Sequence, residues 1–200
     1  MTSISYDPAL TMRQARAAYF AANHFGEDGG YGDAWVDFKL GPLPLPFPNT
    51  AGRKRAVAYH DLHHIVTGYD TNALGEFEIS AWELGAGCGS FVAAWVINLG
   101  GLCAGLIAAP RRTVAAFRRG RRSRSLYGRR LDELLDASVG EVRAMTARSA
   151  PSTFAGDSVL LGLGALSGAV AASMLLMVML TLMPVFLVLG AVRRHAAAAS

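Results

Sequence analysis

Two hundred residues suffice for one domain, or one domain with a membrane element, and make a multi-domain assembly an unfavourable expectation. The chain is 52% hydrophobic and 17% charged, which excludes disorder as a description of the whole. Its formal charge is +4, its basic residues are nearly all arginine, and Cys88 and Cys103 form no CxxC, so neither a disulfide framework nor a thiolate zinc site is indicated.

The opening MTSISYDPALTMRQ carries Asp7 and Pro8 and lacks an apolar core, so it does not read as a secretory signal, and a cytoplasmic origin is the expectation. Thr11 and Gln14 have capping-box spacing. The run to about Ala22 then places Ala15, Ala18, Tyr19 and Ala22 on one side of a first helix. Gly26 to Asp33 is polar and glycine-rich. Beyond it, GPLPLPFPN puts Pro42, Pro44, Pro46 and Pro48 at alternate positions, which excludes helix and favours an extended, polyproline-like crossing. Its Leu43, Leu45 and Phe47 are expected to pack on the parent fold rather than to enter an aromatic groove elsewhere. A helix follows from roughly Arg53 to Thr67 with Gly68 as its stop, and another from about Ala73 to Leu84.

Leu84 to Pro110 holds no ionisable side chain except the two thiols. It is long enough to cross a bilayer, but six glycines and Asn98 argue for closely packed or broken helices, and a buried core is preferred. Residues Ser158 to Val192 are all uncharged, and SMLLMVMLTLMPVFLVLG has the density of lipid-facing sequence. This tail is expected to enter a membrane as a tilted helix, a short hairpin, or an approach segment followed by a span. Between the two tracts, nine arginines fall between Arg111 and Arg130. No zinc finger, RNP-like motif or stacking series accompanies them, so nucleic acid is not an expected partner. A solvated or anionic-lipid-facing cytoplasmic surface is preferred, ahead of recognition of an acidic substrate.

The chemical signal lies in YHDLHHIVTGYDTNALGEFEISAWE. His60 and His64, four positions apart, project from one helical face and can bind a single metal ion. Asp61 could ligate, orient an imidazole or hold a metal-bound water, and Glu76 can return from the next helix. Nitrogen and carboxylate donors suit Zn²⁺ and equally Fe²⁺, Mn²⁺ or Co²⁺. His63 points about 100° away from His64 and is a hydrogen-bond donor behind the ligands, an exposed side chain, or a sign that the register is shifted, with direct ligation of the metal less favoured. Glu83 shares the face of Glu76, with a core-edge or surface role preferred over metal or proton chemistry. Tyr69 and Asp70 fall in the connector as turn residues.

The set His60, Asp61, His64 and Glu76, written HDxxH, eleven residues, then E, resembles the motif of the coenzyme Q (ubiquinone) biosynthesis protein 4 family. The downstream GRRSRSLYGRRLDELLDASVGEVR is similar to the later part of that family, so the resemblance spans about residues 11–145, with the apolar tract 158–192 looking like an addition. The resemblance implies an all-α, compact helical metal-binding domain, with Zn²⁺ the foremost ion. It implies His60, His64 and Glu76 as ligands, Asp61 as a ligand or proton acceptor, and Asp61 and Glu76 as the catalytic carboxylates. The implied function is ubiquinone biosynthesis: oxidative decarboxylation with hydroxylation at ring carbon 1 of a polyprenylated 4-hydroxybenzoate-derived ring. The implied partners are that aromatic quinone precursor, membrane lipid and other quinone-biosynthesis enzymes. The alternative is a non-catalytic prenyl-lipid-binding scaffold that organises such enzymes around a structural metal. A lipid-phosphate hydrolase is less supported, since neither a second metal cluster nor a phosphate-binding loop is present in the sequence.

Overall fold

The structure is a computed structural model that describes residues 5–36, 39–40, 43–44, 46–148 and 156–198. Helix α1 (Met12–Asn23) begins where the Thr11 hydroxyl accepts from the Gln14 N–H and the Gln14 side chain answers the Thr11 N–H, the expected capping box. Helix α2 (Ala51–Thr67) is capped by Thr50 and ends at Gly68, whose φ of 75° is left-handed backbone that glycine adopts without strain. Helix α3 (Ala73–Ala86) starts at the Asn72 cap, only four residues after that stop. This tight connection sets the first turn of α3 beside the last turns of α2.

Helices α4 (Val92–Ala108) and α5 (Pro110–Arg121) follow, with Pro110 at the first position of α5, where its missing N–H costs nothing. Helix α4 is unbroken. Its glycines serve close packing: a Cβ at Gly101 would lie 2.2 Å from the Ser80 hydroxyl of α3. Two short helices, α6 (Leu131–Asp136) and α7 (Val139–Thr146), return to pack on α1 and α2. One core joins Met12, Tyr19, Leu62, Ile65, Leu126 and Val139; a second joins Ala81, Leu102, Ala116, Phe117 and Leu161.

Where it is described, the proline-rich stretch is extended, as expected, but it is paired rather than a lone polyproline crossing. Strand β1 (Trp35–Val36) runs antiparallel to β4 (Phe47–Pro48), and β2 (Lys39–Leu40) to β3 (Leu43–Pro44). Pro46 is buried and Phe47 half-buried; Pro42 and Leu45 lie outside the described residues.

The tail is one helix, α8 (Asp157–Ala198), with Pro184 inside it, so the hairpin is replaced by a continuous rod. Its first turns belong to the domain. Asp157 is buried beside Arg121 at 3.4 Å, Leu161 enters the second core, and Gly168 lies so close to the Leu99 carbonyl of α4 that a Cβ would stand 2.2 Å from it. Most of its later apolar residues, Met174, Met177, Val185 and Val188 among them, are exposed. The segment Asp157–Val185, 29 residues that include an 18-residue stretch of mean hydropathy 2.1, is long and apolar enough to cross a membrane.

Candidate metal centre

His60 and His64 stand one turn apart on α2, and Glu76 arrives from the first turn of α3 because the short Gly68–Asn72 connection brings that turn back. The His60 and His64 Nε2 atoms are 3.1 Å apart. Glu76 faces both, with Oε2 3.3 Å from His60 Nε2 and Oε1 3.2 Å from His64 Nε2. Ligands about 2.0–2.2 Å from a common ion stand roughly 3 Å from one another, so these spacings suit a single divalent cation.

The tautomers are fixed from behind. His60 Nδ1 lies 2.9 Å from Glu83 Oε1, and His64 Nδ1 lies 3.0 Å from the Tyr69 carbonyl. A carboxylate and a carbonyl can only accept, so both Nδ1 atoms carry hydrogen and both neutral rings turn Nε2 lone pairs toward each other and toward a carboxylate. Three electron-rich atoms converging in this way repel unless a cation sits among them. A proton serves in the metal-free protein: burial opposes charging His60, yet Glu83 and Glu76 together lift its pKa well above the ordinary value. Against its own desolvation, Glu76 is lowered to about 2 by hydrogen bonds from His60 and His64. A divalent ion answers the same demand, and an imidazole held by a carboxylate on its far nitrogen is the usual support of a metal ligand. The donor set suits Zn²⁺, Fe²⁺, Mn²⁺ or Co²⁺.

Glu83 is the hub of this arrangement, which corrects the expectation of a core-edge or surface role. It is fully buried. Oε1 accepts from His60 and, at 2.7 Å, from His63; Oε2 accepts from Tyr127 at 2.7 Å and from the Asn98 amide. These donors hold it ionised, well below the usual carboxylate range, in spite of burial. His63 is neither exposed nor evidence of a shifted register. Its Nε2 accepts the Leu126 N–H at 2.9 Å, so the ring is neutral and Nδ1–H donates to Glu83. Burial also pushes its pKa down. Asn98 does not mark a break in α4; it delivers a donor to Glu83 and leaves its Oδ1 buried with no partner among the described residues.

Asp61 stands outside the His60, His64 and Glu76 triad. It accepts from the Tyr31 hydroxyl and, at 3.4 Å, from Tyr19, and burial raises its pKa against these hydrogen bonds. Tyr69 meets the centre only through its carbonyl, which accepts from His64 Nδ1–H, and Asp70 stays in the turn, where its Oδ1 accepts from the Thr71 N–H. Asp61 and two members of the triad, His60 and Glu76, line a cavity of about 340 Å³, with His64 buried behind them. Its polar end is formed by His60, Asp61, Glu76 and Arg53; its apolar wall by Phe25, Val57, Ala94 and Ile97. Phe25 and Ile97 are 42% and 48% exposed, so the apolar wall runs to the surface.

The fold and the centre together define a helical protein with a long apolar helix and a triad able to hold a divalent metal ion. No family model, curated protein or solved structure matches this chain.

Proposed function

We propose that the protein is a membrane-anchored, metal-dependent enzyme of ubiquinone biosynthesis that removes the carboxyl group from ring carbon 1 of a polyprenylated 4-hydroxybenzoate-derived ring and leaves a hydroxyl there. The carrying observation is that the triad of His60, His64 and Glu76 presents His60 and Glu76 to a cavity whose other wall is apolar and reaches the surface at Ile97. A substrate with a polar ring and a prenyl chain needs this pairing. The chain remains in an apolar environment while the ring reaches the triad, so little apolar surface passes through water. Helix α8 supplies the anchor, and Val92, Trp95, Val96 and Ile97 on α4 extend the exposed apolar surface near the cavity. The arginines of α5 and the following loop favour the cytoplasmic face, where anionic lipid and the positive-inside bias act together.

His60, His64 and Glu76 would hold the ion, with Zn²⁺ the choice implied by the motif. When bound, the ion supplies a positive charge that polarises a ring oxygen or carboxylate and steadies negative charge developing on the ring. Glu83 and the Tyr69 carbonyl orient the two imidazoles. Asp61, between Tyr19 and Tyr31, is the group placed to accept a proton from a ring hydroxyl and pass it along the tyrosine hydroxyls. The carboxyl leaves as carbon dioxide, while an external oxidant provides the new oxygen and takes two electrons.

The test is mass spectrometry of quinone precursors in cells lacking their own enzyme for this step, supplied with the intact chain or with His64→Ala at matched membrane abundance. The carboxylated precursor is expected to disappear, and the ring hydroxylated at carbon 1 to appear, only with the intact chain. Unchanged precursors with both would overturn the assignment. Restoration by both would overturn the role given to the metal, and lost turnover in a His64→Ala chain that still folds and binds its partners separates the enzyme from a prenyl-lipid scaffold built around a structural metal.

A further inference from the structure

Among the groups at the polar end of the cavity, the carboxylates already have partners. Glu83 takes four donors, Asp61 takes two tyrosine hydroxyls, and Glu76 faces the two histidines. Arg53 differs. It lines the cavity two turns before His60 on α2, along the stripe Arg53, Val57, His60, and among the described residues no carboxylate oxygen lies within 4.0 Å of its guanidinium. Its position is fixed nonetheless. One terminal nitrogen donates to Asn49 Oδ1 at 3.0 Å, and the guanidinium carbon lies 5.7 Å from the centre of the Phe47 ring. Asn49 is itself buried, with its amide donating to the Gly30 and Asp33 carbonyls. Partial burial disfavours the charge on Arg53 and the Asp61 carboxylate, not in direct ion-pair contact, offsets this only in part, so an arriving anion would relieve the remaining cost.

We infer that Arg53 is the anion-recognising residue of this cavity, receiving the ring carboxylate of an aromatic substrate whose ring oxygens face the His60, His64 and Glu76 triad. Seven residues of helix separate Arg53 from His60 by roughly 10 Å along the axis. After both side chains reach inward, that gap fits one aromatic ring bearing oxygen groups at its two ends. A guanidinium provides the planar, two-pronged donor that matches a carboxylate, whereas lysine provides only a point charge. The inference rests on the function proposed above for its substrate, but not on the metal. Arg53 would act as a binding residue that sets which ring enters and in which direction.

The test is binding of geranyl-substituted 4-hydroxybenzoate and of its methyl ester to the full chain in nanodiscs, by calorimetry. The wild type is expected to bind the acid at least about tenfold tighter than the ester, in keeping with a charge-assisted paired hydrogen bond. R53Q should bind the two alike, and R53K should recover only part of the preference. Thermal melting and metal content of R53Q should equal those of the wild type, which separates lost recognition from lost folding. His64→Ala should keep the preference for the acid, so a failure of the metal assignment leaves a result distinct from a failure at Arg53. Equal binding of acid and ester by the wild type, no binding of the acid, or an undiminished preference in R53Q would each overturn the inference. Competition by inorganic phosphate as strong as by the acid would also overturn it, in favour of a phosphate-bearing ligand.

Discussion

The two ends of this molecule use burial in opposite ways. Around Glu83, a set of polar groups is taken out of water, and each is held by a partner from another element: α2, α4 or the loop carrying Tyr127. Along α8, apolar side chains are left with no protein to cover them. A buried carboxylate is tolerated only when its donors are complete, and a bare apolar helix only when another apolar medium surrounds it. The comparison separates two kinds of specification: the centre is fixed by directional hydrogen bonds, while the tail is fixed by length and hydropathy alone.

This separation predicts that each end can be broken without the other. The largest effect is expected from Glu83→Ala, which strands His63 and the amide of Asn98 and removes the support of His60. Loss of one partner from a buried charged network costs about 3–5 kcal/mol, read as a large fall in melting temperature together with loss of bound metal. His64→Ala comes next. It should lower metal affinity by more than the roughly 10–100-fold typical of losing an outer support, measured by chelator competition, while membrane association is unchanged. Ending the chain after Val170 keeps the contacts of Leu161 and Gly168 with α4 and removes most of the exposed apolar rod. That variant should be released from membranes by alkaline carbonate yet retain the metal affinity of the full chain.

The smallest effect is a pH dependence that distinguishes a proton from a metal ion at the centre. In the metal-free protein His60 has a raised pKa, so its contribution to stability is full below about pH 6.5 and is lost as pH rises through the folded value. Glu76 has a lowered pKa, so its contribution is full above about pH 4.5 and is lost as pH falls through about 2. Metal-free protein should therefore lose melting temperature on the alkaline side. Zn²⁺ should abolish that loss, and its apparent affinity should climb roughly tenfold per pH unit below the His60 pKa, one proton being displaced.

Much of the helical frame was legible in the sequence because its boundaries are local. Thr11 with Gln14 and Gly68 act within a few residues of themselves, and the structure places helix ends beside them. The meeting of His60 with His64 was legible for the same reason, since a spacing of four defines one face. Glu83 was not. Its partners His60, Asn98 and Tyr127 lie 23, 15 and 44 residues away, and no periodicity reports their convergence. Asn98 was the available signal: a lone amide in an apolar helix requires a polar partner, and here it marks the buried carboxylate rather than a weak point. The contact of Tyr31 with Asp61 and the anchoring of Arg53 by Asn49 were hidden likewise, because Tyr31 and Asn49 come from the glycine-rich loop and the end of the strand pair, far in sequence from their partners or outside any helical period. The tail was legible as apolar but not as a single rod, since hydropathy does not distinguish a continuous helix from a hairpin.

The most direct test of the central claim is metal analysis with X-ray absorption spectroscopy on the full chain purified in nanodiscs, beside His64→Ala. One divalent ion per chain is predicted, with nitrogen and oxygen neighbours at about 2.0–2.2 Å and an imidazole signal diminished or absent in the variant. A chain that purifies and reconstitutes without an ion, or that holds one through sulfur or with the same spectrum in His64→Ala, would contradict the metal centre described here.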